Sequence, residues 1–209
     1  MTDKCSVFAG GDRVSSETLD MEHISFSYVI AADRGYLLAE SLGIKCDLYI
    51  GDFDSSKQPS HGNVQTYPIE KDDTDLMLAL RAGLERGCKS FQLYGAFGGS
   101  ADHLFANIQT LAYLCENGAE GVLIGDKDTA RIISPGLVKI KKRKGRSLSL
   151  FAFSEKVTGL TISGAKYNAD NITLENNFPL GVSNSVISEN GAEISFKTGR
   201  LLIIESERG

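Results

Sequence analysis

The sequence predicts two unlike parts, a parallel β-sheet flanked by helices and then an all-β sandwich or barrel-like domain. Three observations carry this. Over the first ~125 residues, short apolar runs alternate with apolar residues at helical spacing. After about residue 130 that period gives way to short β-rich segments cut by glycines. Four carboxylates, Asp33, Asp52, Asp54 and Asp75, fall where strands end or helices start. A chain of 209 residues, 42% hydrophobic, can bury one good core or two small ones.

The first strand candidates are Ser6–Ala9 and Tyr28–Ala31, apolar on consecutive positions as strands covered on both faces are. Asp33-Arg34-Gly35 then occupies a strand-to-helix turn before the helical stretch Tyr36–Leu42. Alone, Asp33 reads as a helix cap. The strand Leu48–Ile50 runs into Gly51-Asp52-Phe53-Asp54-Ser55. Two acidic side chains one residue apart repel unless a cation or solvent intervenes, and in an extended segment they point the same way. Lys71-Asp72-Asp73-Thr74-Asp75 opens the most regular helix, with Leu76, Ala79, Leu80, Gly83 and Leu84 on one face. If Asp72 or Asp73 caps it, Asp75 lies in the first turn and Lys71 is placed to hold a phosphate oxygen.

The strand Phe91–Tyr94 leads through Gly95-Ala96-Phe97-Gly98-Gly99-Ser100-Ala101-Asp102-His103 into a helix marked by Leu104, Ile108, Leu111, Ala112 and Cys115. Such a glycine-rich loop lets backbone N–H groups approach phosphates. Asp102 reads equally as a cap or a ligand, and His103 as a packed or hydrogen-bonded histidine rather than a catalytic base. Gly121–Ile124 closes the α/β part, and the boundary is expected at 126–135, giving domains 1–130 and 131–209. Strands then follow at Leu148–Phe151, Leu160–Ile162, Ile172–Leu174, Ile194–Phe196 and Leu201–Ile204. Ser183-Asn184 reads by itself as a β-turn.

All the loops named in the first part should emerge at the carboxyl edge of one parallel sheet, where ligands of such sheets bind. Carboxylates gathered there form a hard, oxygen-rich site suited to Mg²⁺ and a phosphate chain, so the chemistry read from the residues is phosphoryl transfer. The formal charge of −5 argues against nonspecific nucleic-acid or anionic-membrane binding. The basic run Lys139–Arg146 is expected to be a solvated hairpin. Four widely spaced cysteines with three histidines make a structural zinc improbable, and free thiols without an export signal fit the cytoplasm. No apolar run approaches the ~20 residues that span a bilayer.

Taken in order, these motifs and the late Gly181-Val182-Ser183-Asn184 make the chain resemble the thiamine pyrophosphokinase family nearly end to end. The resemblance implies an N-terminal Rossmann-like catalytic domain, a C-terminal β-sandwich that binds thiamine and dimerises, and a homodimer. It implies transfer of pyrophosphate from ATP to thiamine with release of AMP. Asp33, Asp52, Asp54 and Asp75 would form the Mg²⁺ and ATP site, with Asp52, Asp54 and Asp75 catalytic. Lys71, Asp72, Gly98, Gly99, Ser100 and Asp102 would contact nucleotide or phosphate. Ser183 and Asn184 would belong to a thiamine pocket completed across the dimer. Ser100 stands where the family usually has arginine, so one phosphate-binding charge is missing or supplied elsewhere, and Ser185 stands where glutamate is frequent. A pyrophosphokinase for a pterin alcohol and a noncatalytic nucleotide sensor are the other readings.

Overall fold

A strand covered on both faces must be apolar at every position, and the strands of the first part meet that demand. The structure, a computed structural model, describes residues 2–53, 62–68 and 73–208, which fall into two units, Met1–Asp126 and Lys127–Gly209. In the first unit the strands are β1 (Lys4–Phe8), β2 (Ser27–Ala32), β3 (Leu48–Gly51), β4 (Val64–Thr66), β5 (Ser90–Tyr94) and β6 (Glu120–Ile124). All are parallel, in the order β4-β3-β2-β1-β5-β6. The chain walks outward from β1 to β4, then returns to the other side of β1. That reversal opens a crevice at the carboxyl ends of β1 and β5.

Helices α1 (Met21–Ser25), α2 (Gly35–Ser41), α3 (Asp75–Glu85) and α4 (Ala101–Glu116) accompany this sheet. Successive strand residues face opposite ways. Phe8, Ala31, Tyr49 and Tyr94 therefore enter one core with Tyr36 and Ala39 of α2, while their neighbours Val7, Ile30, Ile50 and Leu93 are equally buried. Helix α3 packs against β1, β2 and β3. Its Gly83 allows this contact, since a Cβ there would lie 2.6 Å from Phe91 Cε1 and 3.1 Å from Cys5 Sγ. On α4, Leu111 and Leu114 lie directly over Gly121 of β6.

The cap of α3 differs from expectation. Thr74, rather than Asp72 or Asp73, is the N-cap and accepts from Met77 N–H at 3.2 Å. Asp73 instead pairs with Arg81 at 3.1 Å. Strand β4 carries no apolar signal because Gln65 and Thr66 are exposed at the end of the sheet.

The second unit holds β7 (Asp128–Ile133), β8 (Gly136–Ile140), β9 (Arg146–Ala152), β10 (Lys156–Ser163), β11 (Ala169–Glu175), β12 (Gly181–Asn184), β13 (Ala192–Phe196) and β14 (Leu201–Glu207). Antiparallel pairing gives the orders β7-β14-β9-β12 and β8-β13-β10-β11. Leu148, Leu150, Leu201 and Ile203 from the first set share one core with Val157, Leu160, Ile194 and Phe196 from the second. The basic run is solvated but is not a hairpin. Its strands β8 and β9 belong to different pairing sets, so residues 141–145 carry the chain from one to the other. Lys139 pairs with Glu193 at 2.8 Å and Lys142 with Glu189. Among the described residues no helix is long and apolar enough to cross a membrane.

Gly35 seats α2 on the carboxyl end of β1, where a Cβ would lie 1.9 Å from the Phe8 carbonyl oxygen. Backbone cannot yield as a side chain can. Gly35→Ala is expected to lower stability by about 1–3 kcal/mol, read from the denaturant midpoint. An unchanged midpoint would mean that α2 shifts freely.

Candidate active site

The ends of β2 and β3 are drawn together by backbone. Asp33 N–H donates to Ile50 O at 2.7 Å, and a Cβ at Gly51 would lie 3.1 Å from Asp33 Cα. Glycine at 51 therefore permits the approach that puts Asp33 beside the segment carrying Asp52. Asp33 has φ 44° and Phe53 φ 53°, both left-handed, a region that ordinary side chains avoid. Strained backbone of this kind is held only where the surroundings over-determine it, and it clusters at functional sites. The N-cap position of α2 is Arg34, which makes no side-chain capping bond, so Asp33 stands one residue before the position expected of a cap. Left-handed Phe53 departs from the extended backbone expected of that residue.

Asp75 is the first residue of α3, directly after the Thr74 cap. Asp54, Lys71 and Asp72 lie outside the described residues. Among the described residues, no three acidic, histidine or cysteine side chains form a group that could hold a metal ion. What Asp33 and Asp52 offer at neighbouring strand ends is hard carboxylate oxygen, the donor chemistry that suits Mg²⁺.

The glycine loop after β5 is built on left-handed backbone at Gly95, Gly98 and Gly99, with φ of 67°, 80° and 73°. It is knitted to a loop that sequence reasoning passed over, Gly10-Gly11-Asp12 after β1. Gly11 N–H donates to Gly95 O and Asp12 N–H to Phe97 O, both at 2.8 Å. The Asp12 carboxylate lies where any Cβ on Gly98 would be, 1.9 Å from Oδ1. A glycine pair directly after an apolar strand was the available signal. Asn107 Nδ2 donates to Ala96 O at 2.9 Å, tying the β5 loop to α4.

Farther along the β1 loop, Ser15 and Thr18 bond Asp126, which follows β6; its Oδ1 accepts from Thr18 Oγ1 at 2.6 Å, Ser15 N at 2.9 Å and Ser15 Oγ at 3.0 Å. The Thr18 hydroxyl, followed by the Ser15 N–H, holds this carboxyl below its usual range. Asp102 is exposed in the first turn of α4, its carboxyl lowered by the Ser100 hydroxyl and then by the His103 N–H. Beside these loops lies a cleft of about 340 Å³, lined among others by Gly10, Arg13, Val14, Arg34, Leu38 and Ser41.

In the second unit, Ser183-Asn184 forms part of β12 rather than a turn. The strand is irregular against β9 between Gly181 and Asn184, and Ser183 there has φ 60°. Ser183 is exposed and its N–H donates to Ser149 Oγ at 3.1 Å. Asn184 is 6% exposed. Its Oδ1 accepts from Tyr167 N at 2.9 Å and Ser185 N at 2.8 Å, and its Nδ2 donates to Tyr167 O at 2.7 Å. The amide thus fastens the Tyr167 backbone, and Arg208 Nη2 fixes the Ser183 and Asn184 carbonyls at 3.0 and 2.8 Å.

Comparison with known proteins assigns both units. Residues 22–123 match the family described as thiamin pyrophosphokinase, catalytic domain, and residues 137–201 match its vitamin B1 binding domain. The thiamine pyrophosphokinase of Bacillus subtilis (strain 168) is 33% identical over 185 residues, 85% of this chain and 86% of that one. A crystal structure of the Bacillus subtilis enzyme superposes with a TM-score of 0.88 at 30% identity, over 99% of this chain and all of that one. The Geobacillus thermodenitrificans thiamin pyrophosphokinase gives 0.83 at 25% identity over 98% of each chain. The Candida albicans thiamin pyrophosphokinase, 16% identical, shares the fold at 0.79 over 98% of this chain and 89% of that one.

The Asn184 clamp is testable. Asn184→Ala leaves the Tyr167 N–H and C=O without their partner and is expected to lower stability by about 1–3 kcal/mol, measured by denaturant unfolding. No loss would show that water replaces the amide.

Proposed function

The chain belongs to the thiamine pyrophosphokinase family, and from that premise we propose that it transfers the pyrophosphoryl group of ATP to the hydroxyethyl oxygen of thiamine, giving thiamine pyrophosphate and AMP. The carrying observation is the approach of Asp33 to the Gly51-Asp52 segment at the carboxyl edge of a parallel sheet, beside two interlocked glycine loops. We read the first unit as a Rossmann-like catalytic domain, a reading supported by the strand order that reverses at β1. We read the second as a β-sandwich that binds thiamine. Its support is the core shared by the two pairing sets and the match to the vitamin B1 binding domain. Four free cysteines support a reducing cytoplasm.

The reaction joins the thiamine oxygen to the β-phosphorus of ATP and breaks the bond from that phosphorus to the oxygen bridging to the α-phosphate, which leaves with AMP. Four negative charges on the polyphosphate repel the incoming oxygen, so charge compensation and in-line placement are what the protein must supply. Asp33, Asp52, Asp54 and Asp75 are the residues that would hold Mg²⁺, which when bound neutralises phosphate charge. Lys71, Asp72 and the Gly98-Gly99-Ser100 turn with Asp102 would orient the nucleotide through one ammonium, backbone N–H groups and hydroxyl. No protein nucleophile is required. Ser183 would meet thiamine with an exposed hydroxyl, while Asn184 supports it from behind.

Product analysis tests the reading. With ATP, Mg²⁺ and thiamine, thiamine pyrophosphate and AMP are expected. ADP as the main nucleotide product contradicts it; AMP formed only with a pterin alcohol selects the related enzyme, and nucleotide binding without turnover selects the sensor. Asp52→Asn, Asp54→Asn and Asp75→Asn should each lower turnover about 10²-fold or more while preserving the fold. Near-normal turnover of all three at limiting Mg²⁺ would make the acidic cluster structural.

The working unit is proposed to be a homodimer joined through the second unit. Support comes from the exposed apolar side chains Phe178, Leu180 and Val182 around β12, at 64, 57 and 46% exposure. Sedimentation should give twice the chain mass, and Phe178→Asp with Leu180→Asp should shift it to the monomer. A monomeric wild type at micromolar concentration would exclude the dimer.

A further inference from the structure

We propose that Arg208, the residue after β14, is a positioning residue for the acceptor substrate: its guanidinium holds the backbone of Ser183 and Asn184 in the form that presents the Ser183 hydroxyl. The inference rests on the reading that thiamine meets Ser183, and adds a residue which that reading does not contain. Strand β12 needs such a holder. Its register with β9 sets Gly181 against Leu150 and Asn184 against Leu148, so three steps along β12 answer two along β9, the count of a bulge. Within it Ser183 has φ 60°, left-handed backbone that a serine adopts only at a cost. Its N–H turns to a side chain, Ser149 Oγ at 3.1 Å, where a regular ladder would offer a carbonyl.

Arg208 supplies donors to the carbonyls of the same segment. Its Nη2 carries two N–H groups and donates to Ser183 O at 3.0 Å and to Asn184 O at 2.8 Å. Hydrogen bonds from a cation are the stronger ones, and two from a single nitrogen fix the spacing of successive carbonyls. The bracket therefore bears on the left-handed residue itself. The base of the side chain is fixed too. Arg208 N–H donates to Gly145 O at 2.7 Å, one residue before β9, and Glu207 N–H donates to Lys127 O at 2.8 Å. Strands β14 and β12 lie on opposite sides of β9, two strand spacings of about 4.8 Å apart. Crossing that gap takes a side chain as long as arginine.

Arg208 and Asn184 divide the work. The Asn184 side chain is buried and engaged with Tyr167 and Ser185, which ties β12 to the turn between β10 and β11. Arg208 is exposed and acts on main chain alone among these contacts. Without it both carbonyls must turn to water, and Ser183 is released toward ordinary extended backbone. Side chains of successive strand residues face opposite ways, so a change of backbone at Ser183 re-aims its hydroxyl. The expected consequence is weaker thiamine binding with the chemical step intact, because the reacting phosphates are assigned to carboxylates of the first unit. Position 208 lies outside the segment 137–201 that matches the vitamin B1 binding domain, so the match does not include it.

Amide hydrogen exchange over residues 181–185 and steady-state kinetics test this together. Arg208→Gln should speed exchange in that segment about 10-fold or more, as loss of charged hydrogen bonds does, with β10 and β13 unchanged. It should raise the thiamine KM about 10-fold while the ATP KM and kcat at saturating thiamine stay within about twofold, the split expected of uniform binding. Arg208→Lys, whose ammonium can also donate twice, should recover part of both effects. Arg208→Gln combined with Ser183→Ala should raise the thiamine KM no further than the larger single change, since one residue acts through the other. Unaltered exchange and thiamine KM in a folded Arg208→Gln chain overturn the inference. So does faster exchange with a normal thiamine KM when Ser183→Ala alone raises it. If Arg208→Gln fails to fold, fully additive effects of Arg208→Lys and Ser183→Ala overturn it instead. Ser183→Ala by itself judges the parent reading, because a normal thiamine KM there removes thiamine from Ser183, while faster exchange in Arg208→Gln would leave Arg208 as the holder of the strand.

Discussion

Backbone meeting backbone at the carboxyl edge of the parallel sheet is the constraint on which the first unit depends. Gly35 lets α2 sit on the Phe8 carbonyl, Gly51 lets β3 close on Asp33, and Gly11 threads between the carbonyls of Gly95 and Phe97. A methyl group at any of these would collide with main chain. The approaches fix where the loops leave the sheet, and the loops carry the carboxylates, the glycine turn and Arg34. Helices on both faces supply the complementary requirement, because only a sheet buried in two cores holds its edge still enough for such contacts.

Within that frame, electrostatics follows placement. Left-handed Asp33 and Phe53 store backbone strain beside the acidic edge, and Arg34 lies within reach of Asp33 without closing a tight pair. A loose, partly exposed pair contributes little to stability. The more permanent charges lie elsewhere. Asp73 with Arg81, and buried Glu205 with Arg131 at 3.0 Å, are structural.

The second unit relies on a different device. Two antiparallel sets share one apolar core, so its rigidity comes from side chains rather than glycine contacts. At β12 the irregular pairing exposes Ser183 while Asn184 turns inward and saturates its amide on Tyr167 and Ser185. A buried amide with its carbonyl and NH₂ both engaged acts as a fixed bracket. The conspicuous asparagine of the Ser-Asn motif is therefore the residue that holds the exposed one in place.

The sequence by itself determined the elements whose signal is local. Burial on both faces writes continuous apolar runs, which made β1, β2, β3, β5 and β6 readable, and helical spacing marked α3 and α4. Glycine-punctuated period-two segments marked β9, β10, β11, β13 and β14, and the ordered aspartates pointed to phosphate chemistry. What only the tertiary structure decided depends on partners remote in the chain. Strand β4 is polar and acquires its identity from pairing with β3. The Gly10-Gly11-Asp12 loop matters because Gly95 and Phe97 arrive beside it. Asp126 holds a loop 111 residues away, and Asn184 is occupied by a backbone 17 residues upstream. The basic run connects two pairing sets because β8 and β9 find different neighbours. Propensity and period are written along the chain, whereas hydrogen-bond partners are chosen in space, after the cores have closed.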